Sequence, residues 1–269
     1  MKPMLKNLLK GRSTQVKKMY IFVGKNKDAD GECRALLEKT VNACGAAVTD
    51  DVTEADVIAV LGGDGTIMRA ASVAVSLNVP VIGINLGRVG YMAELDKGEI
   101  PLIAKYFDGS YTLEERMLLR CKVGKKVFHA LNDAVVHTKN KHMSVLEVSC
   151  NESTVNEYCG DGVILATPTG STAYSMSAGG SAIDPRLKCI CVTPICPQSP
   201  MARPLVFAPD STVTVKACSQ GSMLTVDGAD PIPFDEGDVL TVSKSPKKLR
   251  MVKLKEDGFY EVLRKKSLT

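Results

Sequence analysis

Residues 57–61 read Val-Ile-Ala-Val-Leu, five apolar side chains in a row, and three glycines among the next four positions follow them: Gly62-Gly63-Asp64-Gly65-Thr66. A strand with no polar alternation has to be covered on both faces, which is the condition of a parallel sheet sandwiched between helices. Residues 66–77 are Ala-rich and read as a helix. Residues 19–23 (MYIFV) and 79–85 (VPVIGIN) are further buried strands, and residues 30–44 carry apolar side chains at helical spacing through Cys33, Leu36, Leu37 and Val41. Gly45 stands where a left-handed helix end is favoured. One more short helix is expected around residues 98–107. The first third is therefore an alternation of strands and helices with right-handed crossovers.

From Tyr111 onward the pattern changes. Residues 122–127 read as a hairpin turn. Short strands are expected at 129–137, 145–150, 162–166, 190–195, 211–217, 223–226 and 239–243, interrupted by one helix near 171–178. Such spacing predicts a β-sandwich. The fold class is thus α/β plus β: residues 1–112 as an α/β domain, followed from residue 113 by a β-rich domain.

Composition narrows the partners. The chain has 269 residues, 45% hydrophobic and 24% charged, which is ordinary globular material. No apolar run approaches the roughly 18 residues of a membrane span, and the basic start lacks the apolar stretch of a secretory signal, so the expectation is a cytoplasmic protein with no membrane partner. Residues 1–27 hold eight basic side chains and no acid, and residues 244–269 hold nine basic and three acidic. Aromatics are only 5%, Trp is absent, and the basic residues are not interleaved with stacking rings, so no nucleic acid is expected. Nine scattered cysteines without a C-x-x-C, Cys189 and Cys191 read as facing opposite sides of a strand, argue for reduced thiols rather than disulfides or a metal site.

Four segments carry chemistry. In the first, glycines at the carboxyl end of a parallel strand let backbone amides and a helix N-terminus cradle an anion. Asp64 repels phosphate, so its place there needs a reason: it faces a metal carried by a nucleotide, or it accepts a proton from an attacking hydroxyl. Helix capping by Asp64 or Thr66 explains one polar residue but not three glycines. In the second, residues 160–180 run from a strand into a loop of small and hydroxylic residues, where a flat ligand can lie against the backbone and Thr172, Tyr174 and Ser177 offer donors and acceptors. The third is Asn132-Asp133, two polar residues inside the expected strand 130–137, where an amide beside a carboxylate can read an adenine edge and ribose hydroxyls, or simply mark a strand end or bulge. The fourth is Gly87-Arg88-Val89-Gly90-Tyr91-Met92, after the strand ending at Asn85, equally readable as a ligand loop or a plain one. Read from the residues alone, the chain binds a nucleotide-like phosphate compound and transfers phosphoryl groups.

Gly160-Asp161-Gly162 followed by Thr167-Pro168-Thr169-Gly170-Ser171-Thr172-Ala173-Tyr174 resembles the signature of NAD kinases. Gly62-Gly63-Asp64-Gly65, Asn132-Asp133 and Ala202-Arg203-Pro204 stand in the same order, and the likeness covers roughly residues 19–266. The resemblance implies ATP-dependent phosphorylation of NAD at the 2′-hydroxyl of its adenosine ribose, magnesium accompanying ATP, and a homodimer or homotetramer. It implies an N-terminal Rossmann-like, phosphofructokinase-like α/β domain and a β-rich C-terminal domain, with residues 249–265 returning to the first. It makes Asp64 the general base, with Gly62, Gly63, Gly65 and Thr66 at the phosphates. Asn132, Asp133, Thr172, Ala173, Tyr174 and Ser177 would surround NAD, Tyr91 and Met92 would lie beside the same pocket, and Asp161 would reach a ligand in the neighbouring subunit. Two departures stand out. The family's usual pair is Asn-Glu, one methylene longer than Asn132-Asp133, and Met92 fits its position less well than Tyr91. Two other readings compete: a diacylglycerol-type lipid kinase, which leaves residues 160–180 unexplained, and a non-catalytic dinucleotide sensor, which leaves Asp64 unexplained.

Overall fold

In a computed structural model describing residues 16–87, 90–139, 142–256 and 258–267, the N-terminal third is the expected alternation. Its elements are β1 (Lys18–Val23), α1 (Glu32–Ala43), β2 (Ala47–Thr49), β3 (Val57–Leu61), α2 (Asp64–Leu77), β4 (Val81–Asn85), β5 (Leu95–Asp96) and α3 (Ala104–Asp108). The five strands pair in parallel in the order β5-β4-β3-β1-β2. Alternate residues of β3 point to opposite faces. Val57, Ala59 and Leu61 pack with Leu37 and Val41 of α1, while Ile58 and Val60 pack with Ile67, Ala70 and Ala74 of α2. Both sides of the sheet are thereby covered, as the unbroken apolar run requires. Gly45 takes φ +70°, and its amide donates to the Asn42 carbonyl to close α1.

The rest is mostly sheet: β6 (Thr112–Val123), β7 (Lys126–Ala130), β8 (Asp133–Thr138), β9 (Ser144–Cys150), β10 (Ser153–Gly160), β11 (Gly162–Ala166), α4 (Tyr174–Ser177), β12 (Ile190–Ile195), β13 (Leu205–Phe207), β14 (Val213–Ala217), β15 (Ser222–Val226), β16 (Ile232–Phe234), β17 (Val239–Lys253) and α5 (Phe259–Ser267). Six strands form an antiparallel sheet in the order β13-β12-β11-β8-β15-β16. It stacks on a second sheet through Leu119, Val136, Val148, Leu165, Val215 and Val242, a sandwich core as expected. That second sheet has 11 strands, because β17 pairs with β14 and β6 at one end and places Met251 beside Val81 of β4 at the other. Val252 and Leu254 thereby lie in the N-terminal core, packed with Ile82, Ile84 and Leu95. β17 passes Pro246 by a register shift between Lys244 and Lys248, a bulge that spares the ladder the missing N–H.

Several expectations change. The strand at 129–137 is two strands, broken at Leu131 and Asn132, so the polar pair marks a strand boundary. The helix at 171–178 is a 3-10 turn at Gly170–Thr172 followed by α4, interrupted at Ala173 (φ −97°, ψ −128°). The helix placed at 66–77 begins two residues earlier, at Asp64. The strand at 239–243 runs on to Lys253. Cys189 and Cys191 share one face, their sulfurs 3.9 Å apart, because residues two apart on extended chain point the same way. Among the described residues no helix is long and apolar enough to cross a membrane. The basic start, residues 1–15, and Arg88 and Val89 of the fourth segment lie outside the described residues.

Candidate active site

The first loop leaves β3 between the carboxyl ends of β1 and β4. Gly24 N donates to the Leu61 carbonyl, and Gly62 N to that of Ile84, both at 2.9 Å. Gly62 is required by packing, since a Cβ there would fall within 2.6 Å of the Thr66 Cβ. Gly63 is the N-cap of α2 and provides no side-chain cap, which leaves the helix's first amides available to an anion. Added Cβ atoms at Gly63 and Gly65 meet nothing within 4 Å. The packing of the fold does not demand glycine at either position.

Asp64 does not cap its own helix. It reaches across to the loop after β4, where its Oδ2 accepts from Tyr91 N (2.8 Å) and its Oδ1 from Met92 N (3.1 Å). Gly90 permits this approach, because any Cβ on it would land on the Asp64 carboxylate. Met92 turns its side chain into the α/β core and is 6% exposed, so its part in the site is its backbone. Tyr91 lies under the C-terminal helix. Its ring centroid is 6.1 Å from that of Phe259, and Lys266 Nζ sits 4.1 Å from it, both on α5. Burial pushes the Tyr91 hydroxyl above its ordinary value, with the Asp64 charge adding to it. From α5, Tyr260 also donates to Asp184 at 2.7 Å.

A cavity of about 820 Å³ opens between α2 and the six-stranded sheet. Gly65, Asn132, Asp133, Ala173 and Tyr174 line it, bringing together residues from three of the sequence segments. A second cavity of about 400 Å³ lies beyond Gly90 and Tyr91, beneath α5. Asp64 itself lines neither cavity: it precedes Gly65, which lines the first, and its Oδ2 accepts from the amide of Tyr91, which lines the second. Thr172 and Ser177 line neither cavity: Thr172 donates to the Thr169 carbonyl (3.3 Å), and Ser177 is exposed at the end of α4. Asp161 is exposed at the start of β11, with its amide on the Ile195 carbonyl. Most hydroxyls of the loop lock the loop itself. Thr167 Oγ1 donates to the Leu131 carbonyl (2.6 Å), Ser171 Oγ to that of Pro168 (2.7 Å), and Ser175 bonds Thr193 (2.9 Å). Gly170 lies flat on the Asn132 carbonyl, where no side chain would fit.

The sequence reading missed Met68, Arg69 and Ser72 of α2, Phe128 and His129 of β7, and the turn from Asp227 to Asp230, all of which line the large cavity. The Asp227-Gly228 dipeptide was the available signal, being a common hairpin turn. Asp133 is buried, and burial followed by the Asp227 charge pushes its carboxyl up to about 7. Asp227 is raised by its own burial, opposed by three backbone amides that donate to it.

Residues 7–111 match the family described as ATP-NAD kinase N-terminal domain, and residues 131–254 match the ATP-NAD kinase C-terminal domain. The NAD kinase of Carboxydothermus hydrogenoformans is 41% identical over 259 residues, covering 92% of this chain and 89% of that protein. The chain belongs to the NAD kinase family. Symbiobacterium thermophilum NAD kinase is 44% identical over 222 residues, 79% of this chain and 78% of its own. Among solved structures, yeast NADH kinase complexed with NADH matches with a TM-score of 0.80 at 25% identity, covering 93% of this chain and 86% of that one. An Archaeoglobus fulgidus NAD kinase in complex with ATP matches with a TM-score of 0.78 at 25% identity, covering 93% and 98%. The reaction is accordingly ATP-dependent phosphorylation of NAD to NADP, and the lipid-kinase and sensor readings fall.

Proposed function

We propose that Asp64 is the general base of this phosphoryl transfer, acting on the 2′-hydroxyl of NAD's adenosine ribose. A ribose hydroxyl is a poor nucleophile, and an aligned carboxylate that takes its proton as the oxygen–phosphorus bond forms is worth about 10²–10⁴-fold. The observation that carries this is the carboxylate of Asp64, next in the chain to Gly65 of the larger cavity, with both oxygens held by the amides of Tyr91 and Met92. Two amide donors fix the carboxylate's direction and leave further lone pairs for the hydroxyl.

NAD occupies the larger cavity, with its adenosine half against Asn132, Asp133, Ala173 and Tyr174. The donor's phosphates approach the N-terminus of α2 over Gly62, Gly63, Gly65 and Thr66, where amides and open space receive them. Magnesium would accompany ATP and supply charge neutralisation on the phosphates. A hard cation that keeps phosphate and water ligands would be held mainly by the nucleotide and needs no cage of protein carboxylates. Residues 1–112 with 249–269 bring Asp64, and residues 113–248 bring the NAD wall.

We take the assembly to be a homodimer or homotetramer in which Asp161 reaches the neighbouring site. β13 is an edge strand, and Val206 on it is 58% exposed with Met201 nearby at 79%, apolar surface suited to a second copy. We place the protein in the cytoplasm, where nine free thiols are at home.

The test is NADP formation from NAD, ATP and magnesium, run beside Asp64→Asn. Turnover should fall at least about 10²-fold in the variant while NAD still binds. Equal turnover would remove Asp64 from its role, and no NADP from the folded wild type would sink the reaction.

A further inference from the structure

β7 ends at Ala130 and β8 begins at Asp133, so the backbone between them has no ladder partners. Its polar groups are satisfied from two sides. The Asp227 carboxylate accepts Leu131 N (2.7 Å) on Oδ2, and Asn132 N (2.7 Å) and Asp133 N (3.1 Å) on Oδ1. From the opposite side, Thr167 donates its hydroxyl to the Leu131 carbonyl and its amide to the Asn132 carbonyl. Asp227 N returns a bond to the Asp133 carbonyl at 2.9 Å. Asp227 makes these contacts from φ +49°, a left-handed conformation that L side chains rarely adopt, just before Gly228 at φ +69°. Asp-Gly is a favoured pair for a hairpin turn with both central residues left-handed, so the turn accounts for the φ values; it does not account for a carboxylate aimed at the three amides of residues 131–133. With every backbone polar group of the turn engaged, the two side chains it presents to the cavity are those of Asn132 and Asp133.

We propose that Asp227 is a positioning residue for NAD: its carboxylate holds residues 131–133 in the shape that turns Asn132 and Asp133 into the large cavity. The proposal rests on the NAD-binding reading of that cavity. Asp133 is the buried partner of the pair, and an ionised carboxylate accepts from ribose hydroxyls better than a neutral one. Affinity for NAD therefore improves as pH rises through the ionisation of Asp133, and Asp227 delays that rise. Other titratable groups face the same space. Cys121 of β6 feels both carboxylates, and Arg69 of α2, His129 of β7, His137 of β8 and Asp230 line the cavity.

The experiment is initial-rate kinetics of the full chain and of Asp227→Asn from pH 5.5 to 8.5, with NAD and ATP–magnesium varied separately and NAD binding measured by calorimetry. Asparagine offers one acceptor oxygen where the carboxylate offered two, and it carries no charge. The KM and dissociation constant for NAD should rise about tenfold or more, as expected for the loss of charge-assisted bonds, while the KM for ATP stays within about twofold. The midpoint of the NAD affinity profile should move to lower pH by about one unit, because the like charge is gone. That shift separates the proposal from a purely structural role. Equal rises in both KM values, or a midpoint that does not move, would overturn it. If Asp227→Asn does not fold, Asp133→Asn keeps the clamp and should abolish the pH-dependent limb, and a limb that persists would overturn the proposal equally. Calorimetric NAD binding reads the clamp even where turnover fails, so a failed reaction assay and a failed clamp remain distinguishable.

Discussion

Gly65 separates what the fold needs from what the ligand needs. It is the second residue of α2, solvent-exposed, at ordinary negative φ, and a Cβ there touches nothing within 4 Å. Glycine in a helix is less favourable than alanine by roughly 0.5–1 kcal/mol, through the entropy of the unfolded chain. Gly65→Ala should therefore stabilise the protein by about that much, raising Tm by about 1–4 °C for a chain of this size. The same residue lines the 820 Å³ cavity beside Asp64. A methyl group set against a closely apposed ligand costs about 1–3 kcal/mol, a loss of about 5–150-fold in kcat/KM. Scanning calorimetry and NADP formation on the same preparation read both effects. A variant that melts higher and turns over normally would mean that no substrate passes close to the start of α2. A variant that melts lower would mean that the space around Gly65 is not open.

Other perturbations test neighbouring parts. Gly90→Ala forces the Asp64 carboxylate or its loop aside, and a displacement of about 1 Å should lower kcat about 10²-fold; retained kcat would show that the Tyr91 and Met92 amides do not aim Asp64. Glu94 is buried, accepts from Leu254 N (2.7 Å) and Lys255 N (2.9 Å), and pairs with Lys253. Glu94→Ala should cost about 3–5 kcal/mol in denaturant unfolding by freeing the returning segment, and a loss under about 1 kcal/mol would contradict that anchoring. Asp133 ionises later in the folded protein than in the unfolded chain, at about 7 against 3.8. The folded state binds the extra proton between those values, so stability is full below about pH 4, falls as pH rises, and is lowest above about 7, by up to about 4 kcal/mol. Asp133→Asn should flatten the pH dependence of Tm between pH 5 and 8, and parallel profiles for variant and wild type would refute the buried-carboxyl account.

The parts of the fold legible in the sequence were those whose causes are local. An unbroken apolar run at 57–61, Gly45 beyond a helix and the glycines after β3 each imply their structure within a few residues. The break at Leu131–Asn132 was hidden because the acceptor that makes it, Asp227, lies 96 residues from Leu131 along the chain. β10, with five exposed residues, and β13 and β16, at three residues each, have no buried periodicity to betray them. In the site, Gly65, Asn132, Asp133, Ala173 and Tyr174 gather as residue chemistry suggested. Thr172 was read as facing a ligand, yet its hydroxyl closes a turn of the loop, since short hydroxylic side chains bond nearby backbone as readily as a substrate. Arg69 was invisible because a charged residue on an exposed helix face carries no mark of the cavity it overlooks, and His129 because a single half-buried histidine on a strand carries none either.

The long strand β17 has a consequence for how the protein is made. Met251 completes the parallel sheet beside Val81, and Val252 and Leu254 fill a core otherwise built from residues 19–106. A ribosome delivers the first 110 residues well before it delivers these. At about 5–20 residues per second the nascent α/β layer waits about 7–28 seconds with the Val81 end of β4's outer edge, beyond its pairing with β5, unpaired and apolar side chains uncovered. Such an edge is a template for wrong strand pairing. The docking of residues 249–254 is thus the step on which the yield of native protein turns, and the Gly-Gly-Asp-Gly loop is set in a finished sheet only when almost the whole chain has been synthesised.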